Sequence, residues 1–276
     1  MDTTSSRRTV VIGIDDTDNL EPDSVGTGRV ARAIATVLVE GGLGVPVGVT
    51  RHQLLIDPAI RYTSHNSSLC IGLDTAAPIV ELARATAQEL VGRAQVGSDP
   101  GLCVFALEGE RAARRSVEAF GLAAAERVLT KDQAYAMAQR VGAHLSEHGG
   151  TGDGVIGALA AVGQRSRGES GWFVDAPGVQ ALEVVEMVSV AELLENTAIA
   201  RVEQWDGTTL GAGEWVATGG RLRPSLRGGV AVLLVEPAAG VPGCWAPVEH
   251  NHATPNGPGV KNKKTKTRQQ AAGPPH

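Results

Sequence analysis

The chain predicts an α+β fold, and three observations say so. Val10, Val11, Ile12 and Ile14 form an apolar run that reads as a buried strand near the start. Amphipathic helical stretches dominate from about residue 78 to about residue 165. A β-rich section then runs to about Pro247. The 276 residues suffice for one large domain or two small ones, and 42% hydrophobic with 20% charged residues is ordinary for a soluble globular protein.

The elements follow in order. Thr9–Ile14 is the first strand. A polar loop, DDTDNLEPDSVGTG, leads into a helix, RVARAIATVLVEGG, that stops at Gly41-Gly42. VPVGVTRHQLLI reads as a strand pair or one bent strand. DPAIRYTSHNSS is polar and turn-rich, and LCIGLD is a short strand. PIVELARATAQELVGRAQ is an amphipathic helix, GLCVFALE a strand, and RAARRSVEAFGLAAAERV a second helix. A helix is expected from about Lys131 to His148, ending at Gly149-Gly150. TGDGVIGALAAVGQ opens another. GWFVDA, LEVVEMV and ARVEQWDG read as strands. The last 28 residues are nearly free of apolar side chains and are expected to be a disordered basic tail.

Charge is split along the chain. Residues 249–276 hold five of the 25 basic residues and one of the 30 acidic ones, so the body is acidic. That argues against a broad footprint on a phosphate backbone. Nine aromatic residues are few for stacking single-stranded bases. Lys131 is the sole lysine before residue 261, so a phosphate-binding lysine in the body must be Lys131. Cys70, Cys103 and Cys244 are far apart and form no CxxC, which removes a zinc ribbon and a disulfide framework. No apolar run has the length of a signal peptide or a membrane span, so a cytoplasmic chain without a membrane partner is expected.

Three constellations carry chemistry. Asp15, Asp16 and Asp18 crowd the end of the first strand. Carboxylates this close repel one another, and a hard divalent cation such as Mg²⁺ removes the repulsion. Strict alternation would put Asp16 and Asp18 on one side and Asp15 on the other, so convergence needs a turn. A solvated turn with a capping Asp is the structural alternative. Gly152, Gly154 and Gly157 form a GxGxxG that opens a helix, where backbone N–H groups favour phosphate. The dinucleotide fingerprint needs a preceding strand, and here a helix is expected instead. Gly26, Gly28 and Ala31 form a second, GxGxxA, after a long loop; for both, a tight helix turn is the alternative. Third, Arg51, Arg61, His65, Asn66 and Ser67 are donors suited to phosphate, carbonyl or sugar. Glu249, His250 and His252 are metal-ligand types, but they begin the tail.

GIDDTD, DPAIRYTSHNS and GDGVIGALAA occur in the order and approximate spacing found in the kinase-like catalytic domain of archaeal tRNA(isoleucine) agmatinylcytidine synthase. The chain resembles that domain with its inserted ferredoxin-like domain over roughly residues 9–248. The resemblance implies ATP and Mg²⁺ as cofactors, phosphorylation of a carbonyl oxygen, and attack by an amine. It implies that Asp15, Asp16 and Asp18 bind Mg²⁺ and position ATP. Thr27, after a longer loop, matches a threonine that accepts phosphate. Asn66 matches the asparagine of the second loop, and Gly152, Gly154 and Gly157 match the glycine-rich turn.

It also implies two discontinuous domains: a kinase-like one of residues 9–77 and 128–199, and a ferredoxin-like one of residues 78–127 and 200–248. Residues 78–127 offer two helices but one clear strand, so the missing strands are expected after residue 200. The family continues into an oligonucleotide-binding fold and a zinc ribbon, and the chain ends before either. The expectation is therefore an ATP-dependent phosphotransferase or ligase-like enzyme with a small or nucleoside-like acceptor rather than an intact tRNA. A tRNA cytidine-modifying enzyme with an RNA-binding partner, and a non-catalytic nucleotide-binding module, are the alternatives.

Overall fold

A computed structural model describes residues 7–63 and 65–248. The expected basic tail, with Glu249, His250 and His252, lies outside the described residues.

The apolar run becomes β1 (Arg8–Asp15), which is buried on both faces. Val10, Ile12 and Ile14 enter one core and Val11 the other, which is why the run does not alternate. α1 (Thr27–Glu40) stops where the Gly41 N–H turns back to Val37 O at 2.9 Å. β2 (Val45–Gln53) is one strand with an irregularity between Pro46 and Gly48, and it pairs with β3 (Ser67–Thr75). α2 (Ile79–Arg93) and β4 (Gly101–Ala106) complete a βαββαβ run. Its strands lie in the order β4-β1-β3-β2 with antiparallel neighbours, the ferredoxin-like pattern.

α3 (Arg111–Glu126), α4 (Lys131–Val141), β5 (His144–Glu147) and α5 (Gly154–Arg167) follow. The helix expected to reach His148 stops at Gly142, a left-handed residue at φ 68°. The next residues extend and add β5 to the edge of β4. α1 and α2 cover one face of the sheet; α3, α4 and α5 cover the other. α5 lies so close that a Cβ on Gly13 would collide with Ala158 O.

The rest of the chain is β-rich, as expected: β6 (Trp172–Asp175), α6 (Val179–Leu182), β7 (Met187–Ser189), α7 (Val190–Asn196), β8 (Ile199–Gln204), β9 (Trp215–Ala217), β10 (Ser225–Arg227), β11 (Val230–Pro237) and β12 (Cys244–Pro247). Only the end of LEVVEMV is strand. α7 is a helix that the strand pattern does not announce; Ser189 and Glu192 start it with a capping box. β6 joins the two halves, pairing with β2 on one side and β10 on the other. A separate apolar core fills the second half.

The strand expected to pair with a sheet formed after residue 200 does not. β4 lies between β1 and β5. The βαββαβ unit is residues 8–106 rather than 78–127 with 200–248. The pairing is long-range: β3 and β4, far along the chain, return to the two edges of β1.

Candidate functional site

The acid loop begins where β1 ends. Asp16 adopts φ 53°, a left-handed conformation that breaks strand alternation and turns the chain. Its carbonyl accepts from Asp99 N at 3.1 Å, and Thr17 O accepts from Gln95 N at 2.9 Å. Asp18 accepts from Thr63 Oγ1 at 3.2 Å and, at a long 3.5 Å, from Thr27 Oγ1. Thr27 is buried at the first position of α1, and its oxygen also receives Thr17 N–H at 3.4 Å.

The three acids border two connected spaces. One is a cleft of about 740 Å³ that also reaches Asp99, Asp153, Arg61 and Lys131. The other is a recess of about 100 Å³ that reaches Thr27, Arg51, Arg61, His65, Asn66 and Ser67. The helices α1 and α5 both begin here. Neither has a side-chain cap, and neither has an acid in its first turn. The N–H groups and dipole of an uncapped helix start favour an anion.

Asp15 and Asp16 are electrostatically strained. Burial first, and then the Asp16 charge, push the Asp15 carboxyl well above the ordinary carboxylate range. Asp16 is pushed up to about 6 by burial, then by Asp99, Asp18 and Asp153. Arg51 is the neighbouring cation, felt by both Asp15 and Asp18. Its guanidinium passes over Gly28, where a Cβ would stand 3.1 Å from Nη2. The second glycine motif thus makes room for an arginine.

The first glycine motif serves packing at each position. A Cβ on Gly157 would collide with Asp15 Oδ2, so Asp15 rests on the first turn of α5. A Cβ on Gly154 would collide with Asp99 O. Gly152, at φ 82°, faces Glu147 Oε2 and Lys131 Nζ. These glycines do not open space for a ligand at their Cα atoms; they bring the helix terminus to the acids. Lys131 lines the cleft and donates to Thr151 O at 2.7 Å and to Glu147 at 3.2 Å.

Among the described residues, no three His, Cys, Asp or Glu side chains converge as a metal ligand set. A closed protein cage is therefore absent among them. The donor chemistry fits a different arrangement: one or two carboxylates on a hard cation, with phosphate oxygens and water completing it. Asp15 and Asp16, held above the ordinary carboxylate range first by burial and then by neighbouring carboxylates, are the groups that make the fit.

The structure brings Asp15, Asp16, Asp18, Thr27, Asn66, Arg61 and His65 to one place. Asn66 is largely committed to its own loop, since Nδ2 donates to Leu55 O at 2.5 Å. Asp99, Asp153 and Thr63 are cleft residues that sequence reasoning does not single out. Asp153 stands inside the quoted glycine motif. Asp99, before Pro100, looks like an ordinary turn.

The chain resembles TiaS in part. A structure described as TiaS with an isoleucine tRNA and ATP aligns at TM-score 0.48 and 27% identity, over 56% of this chain and 36% of that one. TiaS with the same tRNA, AMPCPP and agmatine aligns at 0.49 and 25%, over 67% and 43%. A structure described as a tRNA fluorescent labeling enzyme aligns at 0.48 and 28%, over 56% and 36%. The chain thus spans about two fifths of these proteins, and less of it aligns than residues 9–248. No protein-family model and no curated protein matches it. Among the described residues no helix is long and apolar enough to cross a membrane.

Proposed function

We propose that the chain is an ATP- and Mg²⁺-dependent enzyme of the phosphotransferase or ligase-like class, and that it phosphorylates a carbonyl oxygen of a small or nucleoside-like acceptor. One observation supports this above all: two helix N-termini without side-chain caps meet a repelling set of carboxylates at one cleft. Anion-binding termini beside cation-seeking acids are complementary to a metal-bound polyphosphate.

In this reading Asp16 and Asp18, with Asp15 behind them, hold Mg²⁺. Bound Mg²⁺ neutralises charge on the phosphoryl group in transfer. The termini of α1 and α5 orient the phosphates, with Lys131 and Arg61 on the walls. Thr63 and Thr27 hold the Asp18 carboxylate in place. The acceptor oxygen attacks the γ-phosphorus, the bond to the bridging oxygen breaks, and ADP leaves. An amine then adds at the activated carbon and expels phosphate. Such chemistry rests mostly on positioning and charge neutralisation, which this site has the groups to supply. A net charge of −5 favours a small acceptor over a polyanion.

A second reading, cytidine modification on tRNA, is favoured by the order of the three motifs quoted above; tRNA is also the molecule named with the TiaS structures. The purified chain with ATP, Mg²⁺, candidate amines and either cytidine compounds or bulk tRNA decides between them. Mass spectrometry of the nucleosides should show an ATP-dependent amine adduct on the small acceptor. A modified cytidine in tRNA supports the second reading instead. ATP binding without turnover under every condition would leave a non-catalytic module.

A further inference from the structure

The acid loop and the glycine turn are separate in sequence, yet one residue is tied to both. Asp99 sits just before β4, in the cleft wall. Its backbone N–H donates to Asp16 O at 3.1 Å. Its side chain turns the other way. Oδ1 accepts Gly152 N–H at 2.6 Å, and Oδ2 accepts the Thr151 hydroxyl. Its carbonyl occupies the space beside Gly154, and its carboxyl fills the space beside Gly150, where a Cβ would come within 2.8 Å. The turn is therefore wrapped around Asp99. Both carboxylate oxygens are used, and charge-assisted bonds of this kind are roughly twice as strong as neutral ones.

We propose that Asp99 is a positioning residue that couples the acid loop to the glycine turn, so that the grip of one wall of the cleft depends on the other. The proposal deepens the nucleotide reading of the cleft and rests on it for its ligand-binding arm alone. The physical reason is geometric. Asp16 presents its carboxylate from a left-handed residue whose carbonyl is held by Asp99. Helix α5 presents its N-terminus from a turn held by the Asp99 carboxylate. A rigid link between them fixes the distance from cation-seeking acids to anion-seeking N–H groups.

The test uses the full chain with Asp99→Asn, Thr151→Val and the double variant. Asn keeps the shape but has one acceptor oxygen for two donors. Melting curves establish that each variant folds. Amide hydrogen exchange reads the coupling without any ligand. Thr151→Val, which leaves Asp99 and the acid loop unchanged in sequence, should speed exchange at the Asp99 and Gln95 amides, which bond to the acid loop. Unchanged exchange at both would overturn the proposal. Calorimetry with Mg²⁺-ATP reads the consequence. Each single variant should weaken binding about 10- to 100-fold, as supporting residues around a metal site do. The double variant should be no weaker than the weaker single one. Additive losses would mean that Asp99 acts on the ligand directly, and would also overturn it. A wild-type chain that binds no Mg²⁺-ATP sinks the nucleotide reading, while exchange still decides the coupling.

Discussion

Asp16 concentrates the conflict between stability and function in one residue. It is left-handed, and burial and three other carboxylates raise its proton affinity. Its folded pKa, about 6, stands above its ordinary 3.8, so it opposes folding increasingly as pH rises through that window. Asn tolerates the left-handed region as well as Asp does. Asp16→Asn should therefore raise the melting temperature at pH 7 by a few degrees, given roughly 2–4 °C per kcal/mol at this chain length. The same variant should weaken Mg²⁺-ATP binding at least about tenfold, since a metal carboxylate is lost. Paired melting and calorimetry check both; a destabilised variant with wild-type affinity would contradict the assignment. Gly154 makes the opposite point. Its Cβ position is filled by Asp99 O and, at 2.8 Å, by Gly101 N. Gly154→Val should cost about 3 kcal/mol, the upper end of overpacking losses, with a fall of roughly 6–12 °C in denaturation midpoint. Unchanged melting with lost nucleotide binding would mean that the side chain enters the cleft instead.

At the scale of elements, α5 organises the molecule. It rests its first turn on Asp15, its middle on β1, and its last turn near β2 and β6. Near that last turn lies a buried polar group of unusual composition. Arg165 is 7% exposed, its Cζ stands 4.8 Å over the Phe173 ring, and its Nη1 has no hydrogen-bond partner among the described residues. His52 on β2 is fully buried, and its Nε2 lies 2.8 Å from Thr50 Oγ1. Burial first, then the Arg165 charge, push the His52 pKa down from 6.5 to about 3. The folded protein thus keeps His52 neutral while the unfolded chain takes up a proton. His52 is silent above about pH 6.5, and stability falls as pH drops from there toward 3. Asp15 and Asp16 slope the other way, so the effect is read as a difference: the gap in melting temperature between the parent and His52→Gln should shift against the parent as pH falls from 7 to 4. A gap that stays constant with pH would assign the effect elsewhere.

At the scale of the whole molecule, one continuous sheet links three apolar cores. The first half fills both of its faces with apolar side chains from α1 to α5; the second packs its own cluster around β8, β9 and β11. The halves meet at β6 and β10, whose ladder has one paired position, Ser225 with Trp172, flanked by backbone bonds from Phe173 N to Pro224 O at 2.7 Å and from Leu226 N to Gly171 O at 2.9 Å. So short a seam carries little cooperativity. Hydrogen exchange in increasing urea should resolve two cooperative units divided near β6. The proposed site lies in the first, so the second should open with the acid loop still protected. One coincident transition for all amides would show that the seam is stronger than its ladder.

By itself the sequence determined the first strand up to the acids, the existence of helices α1, α2, α3 and α5, the β-rich end, and the acids and glycine turn of the candidate site. Each is written in local periodicity, in a helix stop, or in charged residues with no apolar reason to sit together. Local signals also misled where a glycine ended a pattern early, as at Gly142, or where a short strand resembled the end of a helix, as at His144–Glu147. Only the tertiary structure decided how distant parts combine. It placed β4 beside β1, making residues 8–106 the βαββαβ unit. It brought Asp99 and Thr63 to the acid loop, and it showed that Gly154 and Gly157 are small because Asp99 and Asp15 press on them. Strand partners and close backbone approaches depend on surfaces contributed from far along the chain, and no window of neighbouring residues records them.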